Sequence, residues 1–238
     1  MSSDSGRGIL IVTGTSTGVG KTVVTAAIAA LAAAAGRSVA VVKPAQTGVK
    51  PGDPDSDVPD LDTVTRLSGV TDTHELARYP DPLSPEAAAR MSGLAPLALD
   101  DAARYTAKLA AERDLVLVEG AGGLLVRYDP EGSTLAGLAA KLRAPVLTVA
   151  AAGLGTLNHT ALTLEALRAR SLASAGVVIG SWPREPGLAE RLNRSDLETV
   201  AGGPLAGILP EGSGSLSRAE FAVTARAGLA RKFGGSFR

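Results

Sequence analysis

The sequence predicts an α/β fold: a single P-loop domain with a mostly parallel, doubly wound sheet flanked by helices. Short apolar, β-branched runs alternate along the chain with Ala- and Leu-rich segments of helical character. Several runs are apolar at successive positions, as expected for strands that are buried on both faces. The first run is followed by a glycine-rich segment and then by a helical segment, which is typical of a phosphate-binding loop.

The predicted elements follow from these patterns in chain order. Strands are predicted at 9–13, 38–43, 115–119, 146–150, 174–179 and 207–209, and helices at 21–35, 84–91, 99–112, 134–142, 157–170, 187–199 and 217–231. Right-handed βαβ connections between such elements bring the carboxyl ends of the strands to one edge, where ligands bind.

One long polar loop interrupts the alternation of strands and helices. Residues 48–62 contain Pro51, Pro54, Pro59 and five aspartates. The loop is either a solvated acidic surface or, because it follows a strand close to the predicted phosphate site, a lid or a carrier of metal ligands.

Composition excludes several classes of function. The chain has 238 residues with 24 basic and 24 acidic side chains, which argues against a nucleic-acid surface. It has no cysteine, so disulfides and thiol chemistry are excluded, and with His74 and His159 as its only histidines it offers no His/Cys zinc site. Aromatic residues make up 3% of the chain, too few for a base-stacking platform.

No segment is predicted to be a signal peptide or a membrane span. Residues 144–164 lack formal charge, but Pro145, Gly153 and Gly155 divide them into strand, turn and helix. We therefore expect no membrane contact and a cytoplasmic protein. Residues 1–7 are short and polar and are predicted to be a flexible N-terminus, with one domain over 8–238.

The glycine-rich segment after the first strand reads GTSTGVGKT over residues 14–22. Gly18 and Gly20 allow backbone N–H groups to approach phosphate oxygens, Lys21 can reach the β- and γ-phosphates, and Thr22 can bind Mg²⁺. The usual pattern has its first glycine where Thr15 stands here. The next helix directs its N-terminal dipole at the phosphates.

Polar residues at the ends of two further strands predict the rest of a phosphoryl-transfer site. Glu119 ends a buried apolar strand, a costly position for a carboxylate unless it meets a cation such as Mg²⁺. Lys43 ends the second strand, where its ammonium can neutralise a transferring phosphoryl group, and the hydroxyl of Thr47 is directed at the same region.

A third cluster lies at residues 153–159, at the start of a predicted helix. Its free N–H groups can hold a carboxylate. Ordinary N-capping by Thr156 or Asn158 explains the same residues equally well.

Four motifs together resemble those of the dethiobiotin synthetase family. They are VTGTSTGVGKT at 12–22, KPAQTG at 43–48, VEGAGG at 118–123 and LGTLNH at 154–159, in the family's order and spacing. The resemblance covers residues 8–230. It implies a cyclo-ligase of biotin biosynthesis that uses ATP, Mg²⁺ and CO₂ to close a urea ring on 7,8-diaminononanoate. The implied route passes through a carbamate and a mixed carbamic-phosphoric anhydride.

The resemblance also implies roles for individual residues. Lys43 and Lys21 are the implied catalytic residues, and Thr22, Asp60 and Glu119 the implied metal ligands, with Asp57 and Asp62 as rivals to Asp60. The implied nucleotide contacts are Thr17, Gly18, Val19, Gly20, Lys21, Thr22, Glu119, Gly180, Ser181, Pro210 and Glu211. The implied substrate contacts are Lys43, Thr47, Gly122, Leu154, Gly155, Thr156, Leu157 and Asn158.

Two further implications concern assembly and base selection. In the family the 154–158 turn comes from the neighbouring subunit, so a homodimer that holds the substrate carboxylate across its interface is implied. Gly180 stands where many members have an Asn that binds the base, and Gly18 where some have an acid. Nucleoside triphosphates other than ATP are therefore candidate substrates.

Three alternatives remain. A partition- or septum-type switch ATPase has the same phosphate loop but a second lysine near its start, where Ser16 stands here. An amide ligase of the cobyrinic-acid type needs a glutaminase cysteine, which the chain lacks. A small kinase is the third.

Overall fold

All the strands of the computed structural model, which describes residues 8–50, 52 and 57–238, lie in one parallel sheet. The strands are β1 (Gly8–Gly14), β2 (Val39–Thr47), β3 (Thr73–Tyr79), β4 (Leu115–Gly123), β5 (Val146–Ala150), β6 (Ser174–Trp182) and β7 (Gly207–Pro210). Their order is β3-β2-β4-β1-β5-β6-β7, and every pair is parallel. The predicted fold class is confirmed. The predicted flexible N-terminus at 1–7, and Pro51 and Pro54 of the acidic loop, lie outside the described residues.

Helices cover both faces of the sheet. They are α1 (Lys21–Ala34), α2 (Asp60–Ser68), α3 (Pro85–Ser92), α4 (Leu99–Glu112), α5 (Leu135–Leu142), α6 (Thr156–Ala169), α7 (Leu188–Ala201) and α8 (Arg218–Gly228). Apolar side chains of α1, α2 and α8 pack on one face of the sheet, and those of α3 to α7 pack on the other. The central strands are therefore buried on both sides, which explains their unbroken apolar runs.

The strand and helix patterns predicted neither β3 nor α2, although residues 60–67 resemble the helix that follows the family's metal aspartate. β3 has the sequence THELARY and is an edge strand, so one side of it stays accessible and polar residues are tolerated. α2 begins at Asp60, so the prediction of a loop over 48–62 is wrong at its carboxyl end. The prediction of helix at 217–231 is also too long, since α8 ends at Gly228.

Within the described part of the chain, no helix is both long enough and apolar enough to cross a lipid bilayer.

Candidate active site

A cavity of about 620 Å³ opens where β1, β2 and β4 end, at the carboxyl edge of the sheet. Side chains from the phosphate loop, from the ends of β2 and β4 and from the start of α2 line it. Among the predicted site residues, those on the cavity wall are Thr17, Gly18, Gly20, Lys21, Thr22, Lys43, Thr47, Asp60, Glu119 and Gly122.

The phosphate loop takes a conformation that its glycines permit. Gly18 and Gly20 have φ angles of 75° and 93°, in the left-handed region that side chains rarely adopt. A Cβ at Gly20 would also lie 2.6 Å from the carbonyl oxygen of Gly180. The Lys21 ammonium donates to the Ser16 carbonyl at 3.0 Å. Its burial, together with the charge of Lys43, lowers the pKa of Lys21.

Three side chains bring oxygen atoms together at the base of the cavity. The Thr22 hydroxyl, at the start of α1, lies 2.9 Å from Asp60 Oδ1 and 2.9 Å from Glu119 Oε1. Glu119 is only 1% exposed, and its Oε2 has no hydrogen-bond partner among the described residues. A buried carboxylate oxygen without a partner is costly, and a cation removes that cost.

These oxygens fit Mg²⁺. Mg²⁺ prefers hard oxygen ligands and is usually held by one or two carboxylates together with substrate phosphates and water. The described residues contain no group of three or more His, Cys, Asp or Glu side chains that could enclose a metal unaided. Thr22, Asp60 and Glu119 therefore suit a metal that arrives with a nucleotide.

Lys43 lies between the two carboxylates. Its ammonium donates to Glu119 Oε1 at 2.9 Å, forms an ion pair with Asp60 and is only 3% exposed. Burial alone would lower the pKa of Lys43, but Glu119 and Asp60 outweigh it and raise the pKa. Burial would likewise raise the pKa of Asp60, but the charge and hydrogen bond of Lys43 lower it. Lys43 is therefore a buried ammonium held by two carboxylates.

Of the three candidate aspartates, Asp60 is the one in contact with Thr22 and Lys43. Asp57 lines the cavity, but no hydrogen bond or ion pair joins it to Thr22 or Lys43 among the described residues. Asp62 is exposed and lies outside the cavity wall. Its charge acts on Arg78, the pKa of which is raised chiefly by the hydrogen bond with Glu75 and to a smaller extent by Asp62.

Gln46 on the cavity wall and Tyr128 behind it are polar residues of the site that were not predicted from the sequence. Gln46 is buried on β2 and accepts a hydrogen bond from the backbone N–H of Asp60 at 3.1 Å. The hydroxyl of fully buried Tyr128 accepts from the N–H of Ala121 at 3.0 Å, and burial raises its pKa. The position of Gln46 between Lys43 and Thr47 was a usable signal, whereas nothing in the local sequence of Tyr128 indicated its contact.

The remaining predicted nucleotide contacts lie off the cavity wall. A Cβ at Gly180 would lie 2.1 Å from the Val19 carbonyl oxygen, so β6 packs directly on the phosphate loop and leaves no room for a side chain there. Glu211 donates its N–H to Trp182 at 2.7 Å, which joins the ends of β6 and β7. Ser181 and Pro210 belong to these two strands.

The 154–158 turn is also outside the cavity. Leu154 is 91% exposed, and Gly155, with a φ of 86°, forms the N-cap of α6. Neither Thr156 nor Asn158 caps this helix by a side-chain hydrogen bond. Thr156 instead donates to the Ala151 carbonyl at 2.7 Å, so the N-capping explanation of this cluster is wrong and the first N–H groups of α6 have no side-chain acceptor within the turn.

Comparisons with known proteins agree with this architecture. A family model described as an AAA domain matches residues 8–216. A protein of Frankia casuarinae named ATP-dependent dethiobiotin synthetase is 64% identical over 96% of this chain and 94% of its own length. A protein of the same name from Rhodococcus jostii is 62% identical over 91% and 92%.

Solved structures with low sequence identity share the fold alone. A ParA family ATPase from Chlorobium tepidum has a TM-score of 0.57 at 14% identity and covers 92% of this chain and 97% of its own. A septum site-determining protein from Pyrococcus horikoshii, complexed with Mg-ADP, has a TM-score of 0.57 at 19% identity, with 92% of each chain covered.

Proposed function

The chain belongs to the ATP-dependent dethiobiotin synthetase family, and on that premise we propose the reaction that its site performs. It is a ligase-type enzyme of biotin biosynthesis. The proposed substrates are ATP, CO₂ and 7,8-diaminononanoate, and the proposed products are dethiobiotin, ADP and phosphate. We place the reaction in the cytoplasm, where ATP is abundant. The observation that carries the proposal is the buried ammonium of Lys43 beside the phosphate loop and two carboxylates.

In the proposed route the protein contributes position and charge. One amine of the diamine adds to CO₂ and loses a proton, which gives a carbamate. A carbamate oxygen then attacks the γ-phosphorus of ATP and ADP leaves, which gives the mixed anhydride. The second amine attacks the carbonyl carbon and loses a proton, phosphate leaves with its electron pair, and the urea ring closes. No step needs a nucleophilic side chain, in agreement with a cavity lined by lysines and carboxylates.

The residues divide this work between them. Thr17 and the N–H groups of 18–22 hold the phosphates, and Lys21 neutralises charge on the transferring group. Lys43 and Thr47 contact the carbamate and the diamine, with Gly122 allowing a close approach beside Thr17. Thr22, Asp60 and Glu119 would hold Mg²⁺, which when bound neutralises phosphate charge.

The base of the nucleotide is proposed to lie at the ends of β6 and β7. Gly180, Ser181, Pro210 and Glu211 come together there, adjoining the phosphate loop at Val19. Since Gly180 offers no side chain, hydrogen bonds to the base must come from the backbone or from neighbouring residues. Nucleoside triphosphates other than ATP therefore remain candidate substrates.

The substrate carboxylate is proposed to bind the 154–158 turn of a second subunit in a homodimer. Within one chain that turn does not reach the cavity, and its N–H groups stand at an exposed helix start. Leu154 at 91% exposure is the kind of apolar side chain that an interface covers. Sedimentation of the protein with and without the diamine tests this assembly, and a strict monomer during turnover contradicts it.

The reaction itself is tested by phosphate release from ATP and Mg²⁺, with and without the diamine and ¹⁴C-bicarbonate. We expect release to require both, and the label to appear in an acid-stable cyclic urea. Phosphate release at the same rate with and without the diamine contradicts the proposal and indicates a switch ATPase. Replacing ATP with other nucleoside triphosphates in the same assay measures base selection.

A further inference from the structure

Gln46 connects the strand that carries Lys43 to the helix that begins with Asp60. Its side chain is 5% exposed and lies on the cavity wall, between Lys43 and Thr47 in sequence. Its Oε1 accepts from the backbone N–H of Asp60 at 3.1 Å, and its Nε2 donates to the Thr47 carbonyl at 3.1 Å. Both ends of the amide are therefore used, which fixes the orientation of the side chain.

The hydrogen bond to Asp60 replaces a helix cap. The first N–H groups of a helix have no partner within the helix and are usually satisfied by the side chain of the N-cap residue. The N-cap of α2 is Pro59, which makes no side-chain cap. Gln46 supplies the missing acceptor from β2, so the position of Asp60 is set by the sheet and not only by the chain that precedes it.

The position of Asp60 matters because its carboxylate has two partners at the cavity base. Oδ1 lies 2.9 Å from the Thr22 hydroxyl, and the carboxylate forms an ion pair with Lys43. A rotation of the first turn of α2 would move this carboxylate out of reach of both. Gln46 touches neither Thr22 nor Glu119 among the hydrogen bonds of the described residues, so its effect on the oxygen cluster passes through Asp60.

We propose that Gln46 is a positioning residue that sets the affinity of the Thr22, Asp60 and Glu119 oxygens for a divalent cation by holding the first residue of α2. The proposal rests on the metal role given above to those three residues. Partners that orient a metal ligand typically change metal affinity about 10–100-fold when they are removed. A residue that instead contacted the diamine would change the KM for that substrate.

The test is a double-mutant cycle read out by calorimetric titration of Mg²⁺ into the protein saturated with ADP, a measurement that needs no turnover. Gln46→Met keeps the length of the side chain and removes its polar atoms, and Asp60→Asn removes the charge that Gln46 is proposed to position. We expect Gln46→Met to weaken Mg²⁺ binding about tenfold or more in the wild-type background. In the Asp60→Asn background we expect a further change of less than about twofold, because the carboxylate is already gone.

Turnover assays supply the second readout. We expect the Mg²⁺ concentration for half-maximal rate to rise in Gln46→Met, while the KM for 7,8-diaminononanoate changes less than about twofold. Gln46→Ala is measured beside it, so that the conclusion holds even if one variant fails to fold, and thermal unfolding checks both.

The outcomes separate this proposal from the proposed function. If Asp60→Asn leaves Mg²⁺ binding unchanged, the metal role of Asp60 is wrong and this inference falls with it. If Asp60→Asn weakens binding but both Gln46 variants bind Mg²⁺ as the wild type does, the metal site stands and the role of Gln46 is wrong. Equal losses for Gln46→Met in both backgrounds also overturn it, since the effect would then not pass through Asp60.

Discussion

The molecule contains two ionic networks of similar chemistry at opposite edges of the same sheet. The buried charge cluster, at the carboxyl edge, consists of Lys43, Asp60 and Glu119, the side chains of which are 4%, 29% and 1% exposed. The surface network, at the amino edge, joins Asp72 to Arg113 at 2.6 Å, and these two side chains are 30% and 32% exposed. Asp72 also contacts His74 at 2.7 Å, and His74 contacts the Tyr105 hydroxyl at 2.8 Å.

The two networks differ in the burial of their cation, since Lys43 is 4% exposed and Arg113 is 32% exposed, and in the presence of one fully buried carboxylate, Glu119. In the surface network water screens each charge, so an ion pair there contributes little to stability. In the buried charge cluster Glu119 has exchanged water for the Lys43 ammonium and the Thr22 hydroxyl, and its Oε2 has no partner among the described residues. Such an arrangement costs folding free energy on its own, and it is typical of a site that binds a charged ligand.

The largest expected effect is on catalysis at the buried charge cluster. Lys43→Ala removes the ammonium proposed to act on the phosphoryl group, and we expect the rate to fall about 10³-fold or more. Nucleotide binding, measured by calorimetry with ADP, should persist because the phosphate loop is intact. Lys141→Ala is the matched control, since Lys141 pairs with exposed Asp100. A near-normal rate for Lys43→Ala contradicts the role of Lys43.

The next effect is on stability and compares the two networks directly. Lys43→Met leaves buried Glu119 and half-buried Asp60 without their cation, and we expect it to lower the free energy of unfolding by about 3–5 kcal/mol. Arg113→Met, in the surface network, should cost much less, because water screens the charge that it removes. Chemical denaturation without Mg²⁺ measures both values. Saturating Mg²⁺ and ADP should narrow the difference, because Mg²⁺ is proposed to neutralise the same carboxylates. Equal losses for the two variants would mean that burial does not separate the networks.

A smaller effect is expected when one carboxylate of the buried charge cluster is neutralised. Glu119→Gln keeps the size of the side chain but removes the charge beside Thr22. Mutation of a residue that only orients a metal ligand already changes metal affinity about tenfold or more, and loss of a ligand charge should do at least as much. We therefore expect the Mg²⁺ titration of the rate to shift by at least about tenfold. Glu75→Gln, in the surface pair with Arg78, is the control and should leave the titration unchanged. An unchanged titration for Glu119→Gln would mean that Glu119 does not bind the metal.

The sequence was sufficient to predict the fold class and the central strands, because their unbroken apolar runs reflect burial on both faces. It did not predict β3, since an edge strand with one accessible side carries the polar residues His74, Glu75 and Arg78 and lacks that signal. At the site, the ends of β1, β2 and β4 could be identified because each places a charged or glycine-rich segment after an apolar run. Gln46 lies among these residues in the sequence, but its contact with α2, 14 positions away, could not be predicted from that position.

The smallest expected effect lies in the surface network and depends on pH. Burial alone would raise the pKa of Asp72, but hydrogen bonds from Arg113 and His74 outweigh it and lower the pKa below its ordinary value. A carboxyl with a lowered folded-state pKa stabilises the protein above its unfolded-state pKa, and this contribution disappears as the pH falls through the folded value.

We therefore expect Asp72→Asn to cost less than about 1 kcal/mol at pH 7 and its cost to decline below about pH 4. Urea unfolding of both proteins at pH 7 and at pH 3 measures this, and a cost that stays constant between them contradicts the electrostatic origin. Turnover should not change in this variant at pH 7, because the surface network lies at the far edge of the sheet from the cavity.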